Sequence, residues 1–198
     1  MNLKTIIFIG RSGCGKGTQV ELLIDYLKKN DSRPIFSLDA GAKFRSFIKE
    51  KFYSSKLAYD NAVQGRLQPE FLSIWGWVSM LLEKLEEDEH LIIDGTPRRL
   101  GEAGVLESVF EFFQRENIEI VYINVSRKWA IERMQSRGRM DDQNMKSINT
   151  RMDWFESSVV PVIDFYRTHP HHNFHEVNGE QSIEMVHKNV MSVLGLEK

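Results

Sequence analysis

The sequence predicts an α/β protein with a parallel five-stranded sheet and helices on both faces. Short apolar runs alternate with longer segments of helical periodicity along the 198 residues. The first run, Thr-Ile-Ile-Phe-Ile at 5–9, is continuously apolar, which is typical of a strand buried on both faces of a parallel sheet. Strands that alternate with helices are joined by right-handed crossovers, so we expect the strands to run parallel.

The predicted strands are short, apolar and widely separated in the chain. They cover residues 5–9, 34–37, 91–94, 118–125 and 174–177. Apolar runs of this length favour strands over buried helices, which need roughly ten residues or more. The third strand ends on Asp94, which places an acid at the carboxyl edge of the predicted sheet.

Helices are predicted where apolar residues recur at a spacing of three or four positions. They cover residues 18–29, 44–52, 56–65, 69–87, 102–115, 127–137, 144–166 and 182–194. In the first predicted helix, Val20 and Leu27 belong to one apolar stripe. Pro69 suits the first turn of the fourth predicted helix, 69–87. Trp75 and Trp77 lie two positions apart, so we expect at least one of them to pack in the core.

Length, charge and cysteine content exclude several classes of protein. The chain, residues 1–198, suits a single domain with an excursion at about 38–69 and a shorter one at about 134–143. A net charge of -2 disfavours a protein that coats nucleic acid, and Cys14 alone permits neither an internal disulfide nor a cysteine zinc site. No apolar stretch approaches the roughly 18 residues of a membrane span. We therefore expect a soluble, cytoplasmic protein that binds neither nucleic acid nor membrane. We also expect it to be a monomer.

The strongest functional signal is a glycine-rich loop between the first strand and the first helix. It reads Gly-Arg-Ser-Gly-Cys-Gly-Lys-Gly-Thr at 10–18. Glycines let the backbone wrap a phosphate, with several N–H groups pointing inward at the helix N-terminus. Lys16 supplies a mobile positive charge for the β- and γ-phosphates. Gly17 stands where the usual pattern has Ser or Thr, so Thr18 is the nearest hydroxyl. A turn without a ligand is the alternative, and the strand–loop–helix context argues against it.

A cluster of arginines is the second signal. Arg133 and Arg137 lie four positions apart and share a helical face, and Arg139 and Arg151 follow. Their planar guanidinium groups suit bidentate contacts with phosphate oxygens. Phosphoryl transfer depends mainly on positioning and on positive charge around the transferring group, which such a cluster supplies. The alternative is a solvated helix face, which is common for pairs of this spacing.

Other charged residues leave two interpretations open. Asp94 could hold Mg²⁺ through water molecules, or it could cap the turn before Gly95. Asp141 and Asp142 could pair with the arginines, or they could favour a helix N-terminus. The run His-Pro-His-His at 169–172 could suggest a metal site, but it has no carboxylate cluster beside it in the sequence, and we interpret it as a solvated loop.

Several motifs, in order along nearly the whole chain, resemble those of the adenylate kinase family of nucleoside monophosphate kinases, which includes the UMP/CMP kinases. The loop reads Gly-Lys-Gly-Thr-Gln at 15–19, and Asp-Gly-Thr-Pro-Arg at 94–98 is similar to the family's Asp-Gly-Phe-Pro-Arg. Gly-Arg-Leu-Gln-Pro at 65–69 resembles its Gly-Lys-Leu-Val-Pro segment, and residues 133–142 resemble its arginine-rich lid in a short form. Val-Asn-Gly at 177–179 resembles the segment near the nucleotide base.

The resemblance implies an ATP-dependent kinase with a P-loop NTPase-like fold, a small monophosphate-binding insertion and a short lid. Mg²⁺ would accompany ATP, held through water by Thr18 and Asp94. The residues implied for ATP binding are Gly13, Cys14, Gly15, Lys16, Gly17, Thr18, Arg133 and Gln181. Those implied for monophosphate binding are Ala40, Arg45, Gln68, Gly95, Arg98, Glu102, Arg139 and Arg151. The implied catalytic residues are Lys16, Arg98, Arg133, Arg137, Arg139 and Arg151.

The acceptor base is the point on which this chain departs most from adenylate kinases. Where they place a glutamine that reads adenine, this chain has Glu102, whose carboxylate can only accept hydrogen bonds. Ala40 replaces a residue that is usually threonine in adenylate kinases and alanine in UMP/CMP kinases. Gln68 could compensate with its amide, and Glu102 could instead face solvent.

Whole-chain resemblance implies AMP as the acceptor, with CMP or UMP second. A P-loop kinase of another small metabolite is one alternative, and the acceptor-side arginines argue against it. A nucleotide-binding protein without activity is another, and it is disfavoured because Lys16, Asp94 and the lid arginines are all present.

Overall fold

Five parallel strands form the centre of the molecule. A computed structural model describes residues 2–138, 142 and 144–196. The strands lie in the order β2-β3-β1-β4-β5, and each neighbouring pair is parallel. Their bounds are β1 Thr5–Ile9, β2 Ile35–Asp39, β3 His90–Asp94, β4 Glu119–Asn124 and β5 Asn173–Asn178. The predicted α/β class with a five-stranded parallel sheet is confirmed.

Helices cover both faces of this sheet. In the described part of the chain they are α1 Lys16–Asn30, α2 Ala40–Phe47, α3 Tyr53–Val63, α4 Glu70–Lys84, α5 Leu100–Phe112, α6 Arg127–Arg137, α7 Met145–Trp154, α8 Val160–Arg167 and α9 Ile183–Val193. Because successive strand residues point to opposite faces, Ile6 and Phe8 pack with α1 and α9, and Ile7 and Ile9 pack with α4 and α5. Among the described residues, none forms a helix long and apolar enough to cross a membrane.

The carboxyl ends of the central strands carry the loops of the candidate site. β1 leads into the glycine-rich loop, and Asp94 at the end of β3 pairs in register with Asp39 at the end of β2. Open α/β sheets bind their ligands at this edge. The excursion that contains α2 and α3 leaves from the same edge after β2.

One predicted helix differs from the structure. The periodicity predicts a single helix over 144–166, whereas a π-helical turn, Phe155–Val159, separates α7 from α8. Pro161 lies just after this turn. Because proline has no N–H to donate and its ring crowds the carbonyl four residues back, the backbone widens there.

The expectation that at least one of the two tryptophans packs in the core is confirmed, since Trp77 is fully buried and Trp75 is half exposed.

Candidate active site

A cavity of about 690 Å³ opens at the carboxyl edge of the sheet. The glycine-rich loop, the excursion after β2, the loop after β3, and arginines from α6 and α7 form its walls. The residues predicted from sequence that line it are Gly13, Gly15, Lys16, Gly17, Thr18, Ala40, Arg45, Gln68, Asp94, Gly95, Arg98, Arg133, Arg137 and Arg151. Motifs that are far apart in the chain therefore meet at one cavity.

The glycine-rich loop has a backbone that requires its glycines. Gly13 has a φ of +89° and Gly15 a φ of +94°, both in the left-handed region that side chains disfavour. A Cβ on Gly13 would also lie only 2.6 Å from the carbonyl oxygen of Ala130 on α6. The loop thus packs closely on α6 and leads into the N-terminus of α1, where free N–H groups attract anions.

Lys16, the first residue of α1, folds its ammonium group back over the loop. Its Nζ donates to the carbonyl oxygen of Gly10 at 2.6 Å and to that of Arg11 at 3.2 Å. The buried Cys14 fills the space beneath, with its Sγ at 3.6 Å from Nζ. These contacts hold the positive charge at the cavity wall, within reach of phosphates bound in the loop.

Oxygen donors suited to Mg²⁺ lie on the same wall. Asp94 at the end of β3 and Thr18 in the first turn of α1 both line the cavity. A Cβ on Gly17 would lie 4.0 Å from Asp94 Oδ2, so the carboxylate approaches the glycine-rich loop at the residue after Lys16. A carboxylate and a hydroxyl are hard oxygen ligands, which fit a cation that keeps most of its water shell.

A buried carboxylate joins the arginines of α6 and α7. Asp142 accepts a hydrogen bond from Arg151 Nη1 at 2.9 Å and another from Arg137 Nη2 at 3.2 Å. The side chain of Asp142 is fully buried between them. Arg133 lies one turn before Arg137 on α6 and faces the same cavity. The interpretation of Asp142 as a partner of the arginines is confirmed.

Arg98, in the loop after β3, is a partly buried cation. Its guanidinium lies 5.5 Å from the centre of the Trp154 ring. Burial lowers the pKa of Arg98, the charge of Glu102 opposes that shift, and the like charge of Arg151 adds to it. Arg98 and Arg151 therefore disfavour each other's charge, and an anion bound beside them relieves both desolvation and repulsion.

The excursion after β2 is anchored on α7. Nε1 of Trp154 donates to the carbonyl oxygen of Gly65 at 2.9 Å. Gly65 has a φ of +68°, and a Cβ there would lie 2.5 Å from the carbonyl oxygen of Ser147. Nearby, Nε2 of Gln68 donates to the carbonyl oxygen of Ala58 at 2.9 Å, whereas its buried Oε1 has no hydrogen-bond donor among the described residues.

Arg45 on α2 contributes a more exposed cation to the cavity. Its Nη2 donates to Asp39 Oδ2 at 3.3 Å, and 44% of its side chain is exposed. Asp39 also accepts the N–H of Ala42 at 2.8 Å and so caps α2. Arg45 is thus positioned by a carboxylate at the end of β2, and nearly half of its side chain remains exposed.

Known proteins with similar sequences identify the family of this site. The family model described as adenylate kinase matches residues 8–171. The chain belongs to the adenylate kinase family. It is 30% identical to an adenylate kinase of Azobacteroides pseudotrichonymphae, with 92% of each chain covered. It is 31% identical to one of Corynebacterium urealyticum, with 82% of this chain and 85% of the relative covered. Adenylate kinase 1 of Nostoc sp. is 29% identical, with 96% and 98% covered.

Glu102 is placed differently from what the adenylate kinase resemblance implies. It is 1% exposed, so the alternative that Glu102 faces solvent is wrong. Its carboxylate accepts hydrogen bonds from Thr96 Oγ1 at 3.2 Å, the Arg98 N–H at 2.8 Å and Arg99 Nη1 at 3.3 Å. Because both oxygens bind the protein's own loop, the structure does not bring Glu102 to the cavity wall.

Three other residues assigned to the site by the adenylate kinase resemblance are not found on the cavity wall in the described part of the chain. Gln181 accepts a hydrogen bond from Asn189 at 3.0 Å and does not line the cavity, where Ile183 of α9 stands instead. Cys14 lies beneath the loop, not on the wall. Arg139, together with Asp141, falls outside the described residues, so its assigned role stays a prediction.

The cavity also contains residues that sequence reasoning did not assign to the site, among them Trp154 and Arg66. Trp154 contacts Arg98, and its indole N–H hydrogen-bonds to the excursion after β2. In the sequence, Trp154 is indicated by its position three residues after Arg151, on the same helical face. Arg66 lines the cavity beside Gly65. The sequence feature that indicates Arg66 is its position within the segment 65–69, which resembles a motif of the family.

Proposed function

We propose that this protein transfers the γ-phosphoryl group of ATP to AMP and so yields two molecules of ADP. The observation that carries the proposal is the convergence on one cavity of a phosphate loop with Arg98, Arg133, Arg137 and Arg151. Two bound nucleotides bring many negative charges together, and a transferring phosphoryl group spreads charge over its oxygens. The relatives named adenylate kinase support the same reaction.

The donor phosphates bind in the glycine-rich loop at the N-terminus of α1. Lys16 exchanges the neutral carbonyl oxygens of Gly10 and Arg11 for charged phosphate oxygens, which are stronger acceptors. Asp94 and Thr18 would hold Mg²⁺ through water, and the ion would supply positive charge near the donor phosphates. Arg133 and Arg137 approach the same phosphates from α6.

The acceptor phosphate binds on the other side of the cavity. Arg98 supplies a fixed positive charge there, and Arg45 supplies a mobile one. Arg151, oriented by Asp142, faces the phosphoryl group during its transfer. No side chain has to act as a general base because the attacking phosphate oxygen is already an anion. Catalysis then rests on positioning and on preorganised positive charge.

The acceptor base is recognised from the excursion after β2. Gln68 lines the cavity, and its amide oxygen, which has no donor among the described residues, is a hydrogen-bond acceptor. An exocyclic amine, such as N6 of adenine or N4 of cytosine, suits this acceptor. The pattern supports AMP, with CMP ahead of UMP among the alternatives. Glu102 acts on the same side indirectly, through the backbone N–H of Arg98.

The remaining expectations concern the setting of the reaction. We propose that the enzyme works as a monomer in the cytoplasm, where ATP and the monophosphates are available. A net charge of -2 supports the absence of a nucleic-acid partner.

A steady-state assay that couples ADP formation to NADH oxidation tests this function. The full chain, ATP and Mg²⁺ are combined with AMP, CMP, UMP or GMP in turn, and we expect the highest kcat/KM with AMP. A preference for CMP or UMP would assign the enzyme to the pyrimidine type. ATP binding without turnover of any monophosphate would refute the kinase activity.

A further inference from the structure

A second group of ligating side chains lies away from the cavity. The sequence favours a solvated loop for the run at 169–172, but that interpretation is wrong for His169 and His172, which turn inward. Nε2 of His172 lies 2.7 Å from Glu107 Oε2, and Nε2 of His169 lies 3.6 Å from the same oxygen. His171, between them, is exposed. We call Glu107, His169 and His172 the His₂Glu cluster.

The His₂Glu cluster sits at the edge of the sheet opposite the nucleotide cavity. Its two histidines lie between α8 and β5, just before β5 begins at Asn173. Glu107 lies on α5, which leads from the carboxyl end of β3 back to the start of β4. None of the three residues lines the cavity, so the cluster is separate from the phosphotransfer site.

The three side chains have the geometry of a compact ligand set. Their candidate ligand atoms all lie within 4.8 Å of one another. In a tetrahedral zinc site with bonds of about 2.0–2.1 Å, ligand atoms lie about 3.3 Å apart, so small side-chain movements suffice. The two imidazole rings stack at 3.9 Å with an angle of 18° between their planes, and both Nε2 atoms lie within 3.6 Å of the same Glu107 oxygen.

Three polar atoms of the cluster have no hydrogen-bond partner among the described residues. Glu107 Oε1 and the Nδ1 atoms of His169 and His172 are buried, and no hydrogen-bond partner reaches them among the described residues. Phe110 packs edge-on against His172, and Phe165 packs against His169. Tyr166 also lies beside Glu107, and a largely buried carboxylate is unfavourable unless hydrogen bonds or a positive charge balance it.

We propose that Glu107, His169 and His172 bind one Zn²⁺ ion, with water as the fourth ligand. Two imidazole nitrogens and one carboxylate oxygen suit Zn²⁺, whereas Mg²⁺ prefers oxygen ligands alone. The bound ion ties α5 to the connection between α8 and β5. It therefore stabilises the fold and does not contact the nucleotides.

Isothermal titration calorimetry of the full, metal-stripped chain with ZnCl₂, in the absence of nucleotide, tests the site. We expect one Zn²⁺ per chain in the wild type. Glu107→Gln and His172→Asn should weaken the affinity at least tenfold. His171→Asn, in the same turn but exposed, is the matched control and should bind as the wild type does. MgCl₂ should neither bind to the cluster nor displace Zn²⁺.

Two further measurements separate loss of the site from loss of the fold. With EDTA present, all variants should melt cooperatively, and zinc at about ten times its Kd should raise the Tm of the wild type and His171→Asn alone by about 3 °C. Co²⁺ added to the wild type should give the visible bands of tetrahedral nitrogen and oxygen ligation. Absence of zinc binding, or equal binding by Glu107→Gln and His172→Asn, would overturn the proposal and leave the kinase assignment untouched.

Discussion

Asp142 and Arg151 form an ion pair in which Oδ1 accepts from Nη1 at 2.9 Å, and the carboxylate is fully buried. The same carboxylate accepts a hydrogen bond from Arg137 on α6. One anion thus fixes two arginines that enter the cavity from different helices. Positive charge that is already in place needs no reorganisation during phosphoryl transfer, which makes it effective in catalysis.

Asp142→Asn should lower kcat/KM about tenfold, equivalent to roughly 1.4 kcal/mol, because Arg137 and Arg151 lose the charge that orients them. Steady-state kinetics with ATP and AMP measure this effect. Asp153→Asn is the matched control, since Asp153 pairs with Arg127 at 2.7 Å but is 68% exposed. Exposed pairs contribute little, so this control should leave kcat/KM unchanged. Equal rates in Asp142→Asn and the wild type would contradict the orienting role.

Lys16→Met should keep the fold and lose most of the activity. The substitution retains bulk but removes the charge that reaches the donor phosphates, a loss of about 3–4 kcal/mol or two to three decades in kcat. Kinetics and thermal melting are measured together. Lys28→Met, at an exposed position of α1, is the matched control and should behave as the wild type. Near-normal turnover of Lys16→Met at an unchanged Tm would refute the phosphate-loop assignment.

Glu102→Gln should reduce activity with every monophosphate by a similar factor and leave their order of preference unchanged. The carboxylate binds Thr96, Arg98 and Arg99 within its own loop, so its replacement loosens Arg98 and does not alter a base contact. We expect destabilisation of about 1–3 kcal/mol. Glu111→Gln, exposed on the same helix, serves as the control. A selective gain for AMP of tenfold or more would show that Glu102 reads the base after all.

The stability of the protein should fall as the pH drops below about 6.5, and His90 should cause part of this fall. His90 is fully buried at the start of β3, and its Nδ1 accepts the N–H of Lys4 at 3.0 Å. Burial lowers the pKa of His90, with Arg33 and Arg115 adding to the shift and Asp31 opposing it. Because the unfolded chain takes up this proton at a higher pH than the folded chain does, acidification favours unfolding.

Urea denaturation between pH 7.5 and 5.5 measures this dependence. His90→Gln should flatten the slope of unfolding free energy against pH, by at most about 1.4 kcal/mol per pH unit. His171→Gln, at an exposed position, should leave the slope as it is in the wild type. An unchanged slope in His90→Gln would contradict the assignment. The hydrogen bonds from Arg33 lower the pKa of Asp31, so its ionised carboxylate stabilises the fold at neutral pH. This stabilisation is lost only below about pH 4, so Asp31 does not affect the slope between pH 7.5 and 5.5.

Local patterns in the chain determined the fold class and the phosphate-binding elements. The apolar run before Gly10 and the spacing of glycines and Lys16 after it depend on neighbours in sequence, so a strand, a loop and a helix follow from them directly. Arg133 and Arg137 share a helical face for the same reason. The resemblance to adenylate kinases added the order of motifs along the chain, which periodicity alone does not contain.

The tertiary structure decided which partners these residues have. The sequence indicates only that Glu102 is an acid close to the acceptor motif. The folded loop shows that its carboxylate accepts hydrogen bonds from Thr96 and Arg98. In the same way Glu107 meets His172 across 65 positions, a contact without a local signal. Propensity and periodicity act over a few residues, whereas such contacts arise from how α5 and α8 pack on one face of the sheet. The sequence by itself therefore determined the phosphate chemistry, and packing decided which charges are free to carry it out.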